Sequence, residues 1–513
     1  MSSHVNGAEL TELQRSSRRL FPDALSALVE IASEVSSQRP PPETFARLSK
    51  FFLMHFCDQF VYQEFFGNEK RLPIPSAVLR IPFWTSTDKS ASMSRQHAIE
   101  CALTSGYNNP SLVAESETPN APYSARRRLL STIGATSAQV VVVDPYLKCS
   151  KLREVAAALK LRRVARWKNT TELTVSAREI DFSRRLAIVS RDIHRDDRHI
   201  VIRRALALTA PVELVEGFNE LRAQCMRNQQ VHSGLIYTAN AYQSSSSFRL
   251  WVEHCRERGA QLVTHQHGGG YGIDPIHLGE EFDVSVSDTF YSWGWDATDG
   301  GTRVRSLPPA WPDRHTGQPC SEYLLMSLPI TTHMYRLQPF LMPSHVADVI
   351  SQTLALIREL AAPTRLRIRM HQGDALPLSQ ISTLDATVII DDLQASGTMA
   401  ASRAKLVLHN YLSTAWLETL AMNIPTVCFC DPVMYRPRAA AQPFVDALAK
   451  VGVIHHSGIE AAKFVNGLNG DPSAWWQSAE VQEAREAFVA RYANFSENWL
   501  PAWIEEFERL LAE

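Results

Sequence analysis

Residues 405–429 read KLVLHNYLSTAWLETLAMNIPTVCF, and the order of their parts decides the fold. An apolar strand closes at His409, a short turn follows, and Ser413 or Thr414 caps a helix that stops at Asn423. Pro425 then opens the next strand. Strand, helix and strand at this spacing make a βαβ unit, which requires a parallel sheet. Ligands of such sheets bind beyond the carboxyl ends of the strands. The turn after His409 is therefore the first place to look for chemistry. Its helix N-terminus offers free amides and the positive end of a dipole, which suits a phosphate. The Ser413 and Thr414 hydroxyls would add hydrogen bonds, with His409 and Asn410 at the strand end. Glu418, four residues after Thr414 on the same helix face, would accept from the hydroxyls of a ribose. The plain alternative is a capped helix with a surface glutamate.

The same alternation runs in both directions from this unit. Toward the N-terminus, 322–329 (EYLLMSLP), 365–371 (RLRIRMH) and 386–391 (ATVIID) read as strands, and 344–362 as a long helix. His371, at the end of its strand, would face the leaving phosphate. A second series lies earlier, at 138–144 (AQVVVVD), 186–190 (LAIVS), 234–238 (GLIYT), 261–265 (QLVTH) and 290–293 (FYSW), with a helix at 244–259. Each run is short, apolar and rich in β-branched or aromatic residues, as buried parallel strands are. The expected fold class is α/β, two Rossmann-like domains with a helical N-terminal extension and closing C-terminal helices. The expected boundaries are 1–130 for a mostly helical region, 131–310 for an N-terminal Rossmann-like domain and 311–513 for a C-terminal one. Within the first region, helices are expected around 9–35 and 43–65 on either side of the RPPP break at 39–42, with a loop or linker over 105–130.

The other conspicuous stretch is 265–272, HQHGGGYG, which spends four of the chain's 22 glycines in eight positions. It follows a strand, so it too lies at a strand's carboxyl end. The glycines would let a ligand approach the backbone of Gly268 and Gly269, while His265, Gln266 and Tyr271 would contact it. His267 is the candidate base. His265 and His267, two apart, would point the same way on a strand, and with Asp274 and His277 they permit a zinc or iron site. They complete neither the binuclear lactamase-like pattern nor the helical pair of metalloproteases. Asn240 and Tyr242, at the end of another strand, would bind an acceptor. Asp144 and Glu216, each beyond an apolar run, are the further candidates for base or nucleophile.

Composition limits the classes. With 45% hydrophobic and 21% charged residues the chain is a globular protein of more than one domain. A formal net charge of −2 and a pI near 6.8 give no reason to expect a nucleic-acid partner. No run of 18 apolar residues occurs and no signal segment opens the chain, so a cytoplasmic location is expected. Eight cysteines without a CxxC pair read as reduced, mostly buried thiols. The basic stretch 151–168, on a mostly helical pattern, suits either a solvated face or peripheral contact with an anionic inner membrane.

The segments TANAYQSSSSFRLWVEHCRERGAQLVTHQHGGGYG (238–272), YSWGW (291–295) and HNYLSTAWLETLAMNIPTV (409–427) together resemble a bacterial family of sugar transferases found in gene clusters for surface polysaccharides. That family is distantly similar to the GT-B capsule enzymes that transfer Kdo or other nonulosonic acids from CMP-activated donors. The resemblance covers roughly residues 138–430. It implies a metal-independent glycosyltransferase without a cofactor, with the nucleotide-activated sugar on the C-terminal half and a glycan or glycolipid acceptor on the N-terminal half. Two departures stand out. The His-Pro pair of the related enzymes is His371-Gln372 here, and their acid-rich turn is replaced by Gln266-His267-Gly268. The competing readings are a metal-dependent hydrolase built on the HQHGGGYG histidines and a non-catalytic scaffold of polysaccharide assembly.

Overall fold

The computed structural model describes residues 7–35, 40–66, 137–147, 149–160, 164–166, 181–191, 197–228, 232–296, 303–310, 322–327, 337–338, 342, 345–361, 365–370 and 388–512. They form two parallel sheets with helices around them. The first holds β1 (Ser137–Val143), β2 (Val164–Arg166), β3 (His232–Thr238), β4 (Gln261–His265), β5 (Thr289–Ser292) and β6 (Val304–Ser306) in the order β2-β1-β3-β4-β5-β6. The second holds β7 (Tyr323–Met326), β8 (Leu366–Arg369), β9 (Val388–Ile390), β10 (Leu406–His409), β11 (Thr426–Phe429) and β12 (Ile454–His455) in the order β12-β11-β10-β7-β8-β9. Every strand pair is parallel. The expected α/β class with two Rossmann-like sheets holds.

Helices cover both faces of each sheet, which is why the central strands are apolar throughout rather than alternating. On the first sheet, Val141 and Val143 pack with Phe248, Trp251 and Phe282 from the helices Ser246–Arg256 and Leu278–Val286. The opposite face, Val140, Val142 and Tyr237, is covered by Trp503 and Phe507 of the last helix, Trp499–Ala512. The chain's final element thus returns to its first sheet. On the second sheet, Leu325, Ile368 and Leu408 pack beneath the helices Val346–Glu359 and Gly458–Gly467. Trp416 and Cys428 face Phe488 and Tyr492 on the other side.

The N-terminal helices Gly7–Val35 and Pro42–Phe66 fall where they were expected and dock on the first half. Leu28, Ile31, Phe56 and Phe60 share a core with Ile188, Ile202 and Leu206. Arg18 ties the docking together, reaching buried Asp58 at 2.8 Å and Glu281 at 2.7 Å. The expected loop over 105–130 lies outside the described residues. No described helix is long and apolar enough to cross a membrane.

Two expectations are corrected. Residues 186–190 are not a strand but part of the helix Phe182–Val189, whose N-cap Asp181 accepts from the Arg184 amide at 2.8 Å. Its buried residues, Arg185, Ile188 and Val189, follow helical spacing, and the short apolar run hid that period. The basic stretch is also not helical throughout. It holds the helix Cys149–Ala158 and then β2, the edge strand of the first sheet. Lys151 there pairs with Glu154 at 3.5 Å and sits 5.6 Å over the Trp499 ring.

Glu216 is committed to a structural ion pair and does not line the cleft. Its carboxylate is held by the Nε–Nη2 edge of fully buried Arg185, with Nε 2.7 Å from one oxygen and Nη2 on the second. Arg185 Nη1 also donates to the Ala210 carbonyl at 2.6 Å. A buried guanidinium stripped of its carboxylate is costly. Glu216→Ala is therefore expected to lower stability by about 3–5 kcal/mol, read as a lower denaturant midpoint, and to leave nucleotide affinity unchanged. Loss of affinity at unchanged stability would restore Glu216 to the site.

Candidate functional site

The turn after β4 and the turn after β10 meet. Both lie at carboxyl ends of parallel strands, one from each sheet, and between them lies a cleft of about 320 Å³. Its lining includes His267, Gly268, Gly269, Tyr271 and His277 on one wall and Tyr411, Ser413, Thr414 and Tyr435 on the other.

The closest approach is backbone to backbone. The Gly269 amide donates to Thr414 Oγ1 at 2.7 Å. A Cβ at position 269 would lie 2.6 Å from the Thr414 nitrogen and 2.7 Å from the Ser413 carbonyl carbon. Gly270 is required for a second reason, since its φ is +87° and a Cβ there would lie 2.5 Å from an Asp274 carboxylate oxygen. The glycine cluster thus admits the helix Thr414–Ala421 of the other half against the turn. The expectation that the glycines let a ligand lie on the backbone is corrected at Gly269, where the space is filled by protein. Further bonds hold the approach. Arg438 makes a two-pronged pair with Glu280, both contacts 3.0 Å, and Tyr435 donates to Asp274 at 2.8 Å. On another side of the helix Thr414–Ala421, the Tyr146 hydroxyl lies toward the Glu418 carboxylate.

His267 and His265 do not face the same way, because the chain leaves the extended conformation after His265. His265 is buried behind the sheet: its Nδ1 meets the Tyr237 hydroxyl and its Nε2 the Leu307 carbonyl at 3.1 Å. Burial pushes its pKa down to about 3, so it is a neutral core histidine and not a substrate ligand. Gln266 is equally committed. Its Oε1 accepts from the Trp293 amide and Trp295 Nε1, and its Nε2 donates to the Gly268 carbonyl. It shapes the turn and has no amide end left for a substrate. His277 caps the helix Leu278–Val286, its Nδ1 accepting from the Glu280 amide at 2.9 Å. His265, His267, Asp274 and His277 therefore do not converge as metal ligands. Among the described residues no group of three or more His, Cys, Asp or Glu is placed to hold an ion.

The remaining candidates separate in the same way. Tyr242 is fully buried and donates to Glu253 at 2.7 Å, with the Arg249 guanidinium over its ring, so it cannot reach an acceptor. Asn240 is exposed at the end of β3, and Asp144 is exposed after β1 with φ +39°. Neither lines the cleft. His409 is buried in the core with Nε2 3.1 Å from Thr419 Oγ1, and burial takes its pKa to about 3. Asn410 is buried and bridges Ser327 and Thr353, tying the ends of β10 and β7 to the helix above. Both serve architecture. His371 lies outside the described residues. Ser413 caps its helix, accepting from the Trp416 amide at 3.3 Å, and with Thr414 it lines the cleft. Glu418 stands one turn on, toward Tyr146 rather than among the lining residues, which speaks against a ribose contact in this arrangement.

The sequence reading missed what lies under His267. Tyr271 Oη is 3.3 Å from His267 Nδ1 and donates to Asp283 at 3.0 Å, and Gln243 donates to the same carboxylate oxygen at 2.7 Å. Burial raises the Asp283 carboxyl to about 7. An acidic residue on an amphipathic helix looks like a surface position, and nothing local distinguishes Asp283 from its neighbours Glu280 and Glu281.

A family model described as "LIC12162 family transferase" matches residues 91–507. No curated protein matches. Among solved structures, an O-GlcNAc transferase from Thermobaculum terrenum is 14% identical over 98% of this chain and 97% of its own, with a TM-score of 0.35. The spinosyn forosaminyltransferase SpnP is 11% identical over 73% of this chain and 100% of its own, with a TM-score of 0.37. A kitacinnamycin glycosyltransferase is 12% identical over 73% and 99%, with a TM-score of 0.33. Scores this low carry no weight for the site, and the architecture rests on the two sheets themselves.

Two expected outcomes test the contact. Gly269→Ala should cost about 1–3 kcal/mol, as overpacking does. Gly268→Ala, whose Cβ would meet only the Thr414 hydroxyl at 3.3 Å, should cost less. Equal melting temperatures for the two variants would mean the halves are not pressed together there. The second concerns Glu418, whose carboxyl burial raises from 4.5 to about 7. Because the folded state holds that proton more tightly, the stability from Glu418 is present at low pH and lost as pH rises toward 7. Glu418→Gln should therefore melt above the parent near about pH 8, with the difference closing toward 4.5; a pH-independent difference would refute the shift.

Proposed function

This chain belongs to the LIC12162 family of transferases, and on that premise we propose that it is a GT-B glycosyltransferase acting on a nucleotide-activated sugar. One observation carries the reading: a helix N-terminus and a histidine face each other across a cleft formed at strand ends of both parallel sheets. The Ser413 cap uses the Trp416 amide, Gly269 is packed against the Thr414 amide, and the Ala415 amide has no partner within the helix. That end stabilises a phosphate as negative charge grows on it. His267 takes the proton of an acceptor hydroxyl as the hydroxyl oxygen bonds to the anomeric carbon. The bond from that carbon to the phosphate oxygen breaks, and the nucleotide leaves with the electron pair.

The resemblance to the CMP-sugar enzymes puts a CMP-activated nonulosonic or Kdo-like acid first among donors, and a surface glycan or glycolipid first among acceptors. The basic residues of the 151–168 stretch suit an acceptor held at an anionic membrane. Asp144 and Asn240, exposed beyond β1 and β3, are placed to meet such an acceptor rather than the donor.

Calorimetric titration with CMP, UDP and GDP tests the donor side. Binding of one nucleotide in the micromolar range is expected. His267→Ala should leave that affinity intact and lower kcat by about 10²–10⁴-fold, the usual contribution of a general base. With donor alone, turnover should be slow, since a hydrolase would not need the acceptor. If none of the three nucleotides binds, the transferase reading of this cleft is wrong.

A further inference from the structure

Below the cleft wall lies an ionisable group that the proposed chemistry does not yet use. Asp283 is 1% exposed, and its Oδ2 receives hydrogen bonds from Gln243 Nε2 and from the Tyr271 hydroxyl. Tyr271 is 2% exposed, and its ring is packed 4.2 Å from that of His277 and stacked at 5.9 Å on Phe290. Its hydroxyl is thereby fixed between Asp283 and His267 Nδ1.

A phenol has one proton to give. The carboxylate is the stronger acceptor and the nearer one, 3.0 Å against 3.3 Å, so it takes that proton as a charge-assisted bond. The oxygen then presents only lone pairs to the imidazole. Nδ1 must carry the ring proton, and Nε2 is left as the basic nitrogen. We infer that Asp283, acting through Tyr271, is a positioning residue that fixes His267 in the tautomer whose Nε2 can accept a proton. The catalytic meaning of this arrangement rests on the reading of His267 as the base.

The surroundings support the assignment. Asp283 faces Gln243 and Arg249 from the preceding helices, Tyr271 from the turn and Glu280 on its own helix. His267 faces Tyr271, and His265 lies near enough to interact with its charge. Arg249 favours the ionised carboxylate, while burial and Glu280 oppose it and raise the carboxyl to about 7. Once protonated, Asp283 no longer draws the phenol proton. The hydroxyl then turns to donate to Nδ1, the proton of the ring moves to Nε2, and the base is lost.

The test reads the ring nitrogens directly. In protein labelled with ¹⁵N-histidine, with His267→Gln assigning the signal, the His267 ring should show a protonated Nδ1 and an unprotonated Nε2 near about pH 8. Tyr271→Phe keeps the ring packing and removes the link, and Asp283→Asn removes the charge. Each should shift the ring toward the Nε2-protonated form, and retained melting behaviour in either variant suffices for the comparison. A parent His267 already protonated on Nε2, or a tautomer unmoved in both variants, overturns the proposal. The measurement needs no substrate, so its outcome is separate from that of the nucleotide titration. If nucleotide binds but the tautomer does not move, the transferase reading stands and the role of Asp283 falls.

Discussion

The cleft exists because two backbones touch at Gly269. Its amide donates to Thr414 Oγ1, and no side chain fits between the turn after β4 and the start of the helix Thr414–Ala421. Together with the bond from the Arg438 amide to the Ile273 carbonyl at 2.8 Å, this approach fixes the spacing of the halves beside His267. Arg438–Glu280 and Tyr435–Asp274 lie around it and fix the orientation. A hydrogen bond of this kind contributes only about 1 kcal/mol net. Its importance is geometric, because a mismatch of a methyl group would be transmitted to both walls.

The buried and half-buried carboxylates divide by how they are neutralised. Glu216 has a two-pronged arginine partner, Asp58 has Arg18 and Ser17, and Glu280 has Arg438. Such groups hold elements together. Asp283 has neutral hydrogen-bond donors instead, Glu418 has only the Tyr146 hydroxyl toward it, and burial raises both toward neutrality. Groups poised to titrate near pH 7 cluster at functional sites. Asp283 lies under His267 and Glu418 on the helix that forms the opposite wall, while burial raises Glu213 as far beside Arg185 and Glu216, away from the cleft.

Much of the architecture was legible because buried parallel strands announce themselves as β-branched runs. VVVV in β1 and LVLH in β10 left no other reading. The run LAIVS misled because five residues are too few to show a helical period, and the deciding partners, Arg185 with Glu216 and Ala210, are set by tertiary contact. The site was harder. HQHGGGYG was visibly a constrained turn, yet the reason for Gly269 lies 145 residues away at Thr414 and leaves no local trace. His265 and His409 looked like ligands because they end strands. The strand-end position is also where the last inward-facing side chain is buried, and both turned out to be core residues.

On the proposed reading, the histidine base and the phosphate site would come from different halves. A base must accept a proton, so its neighbourhood should not be strongly positive. A phosphate site needs positive potential. Placed on one turn, each would weaken the other. Split across the cleft, His267 sits over the carboxylate network of Asp283, while the dipole of the helix Thr414–Ala421 acts from the opposite wall. The two share one cleft because the turn and the helix lie against each other, and Gly269 leaves room for that approach. In this chain the residue without a side chain therefore carries as much of the site's specification as the residues with one.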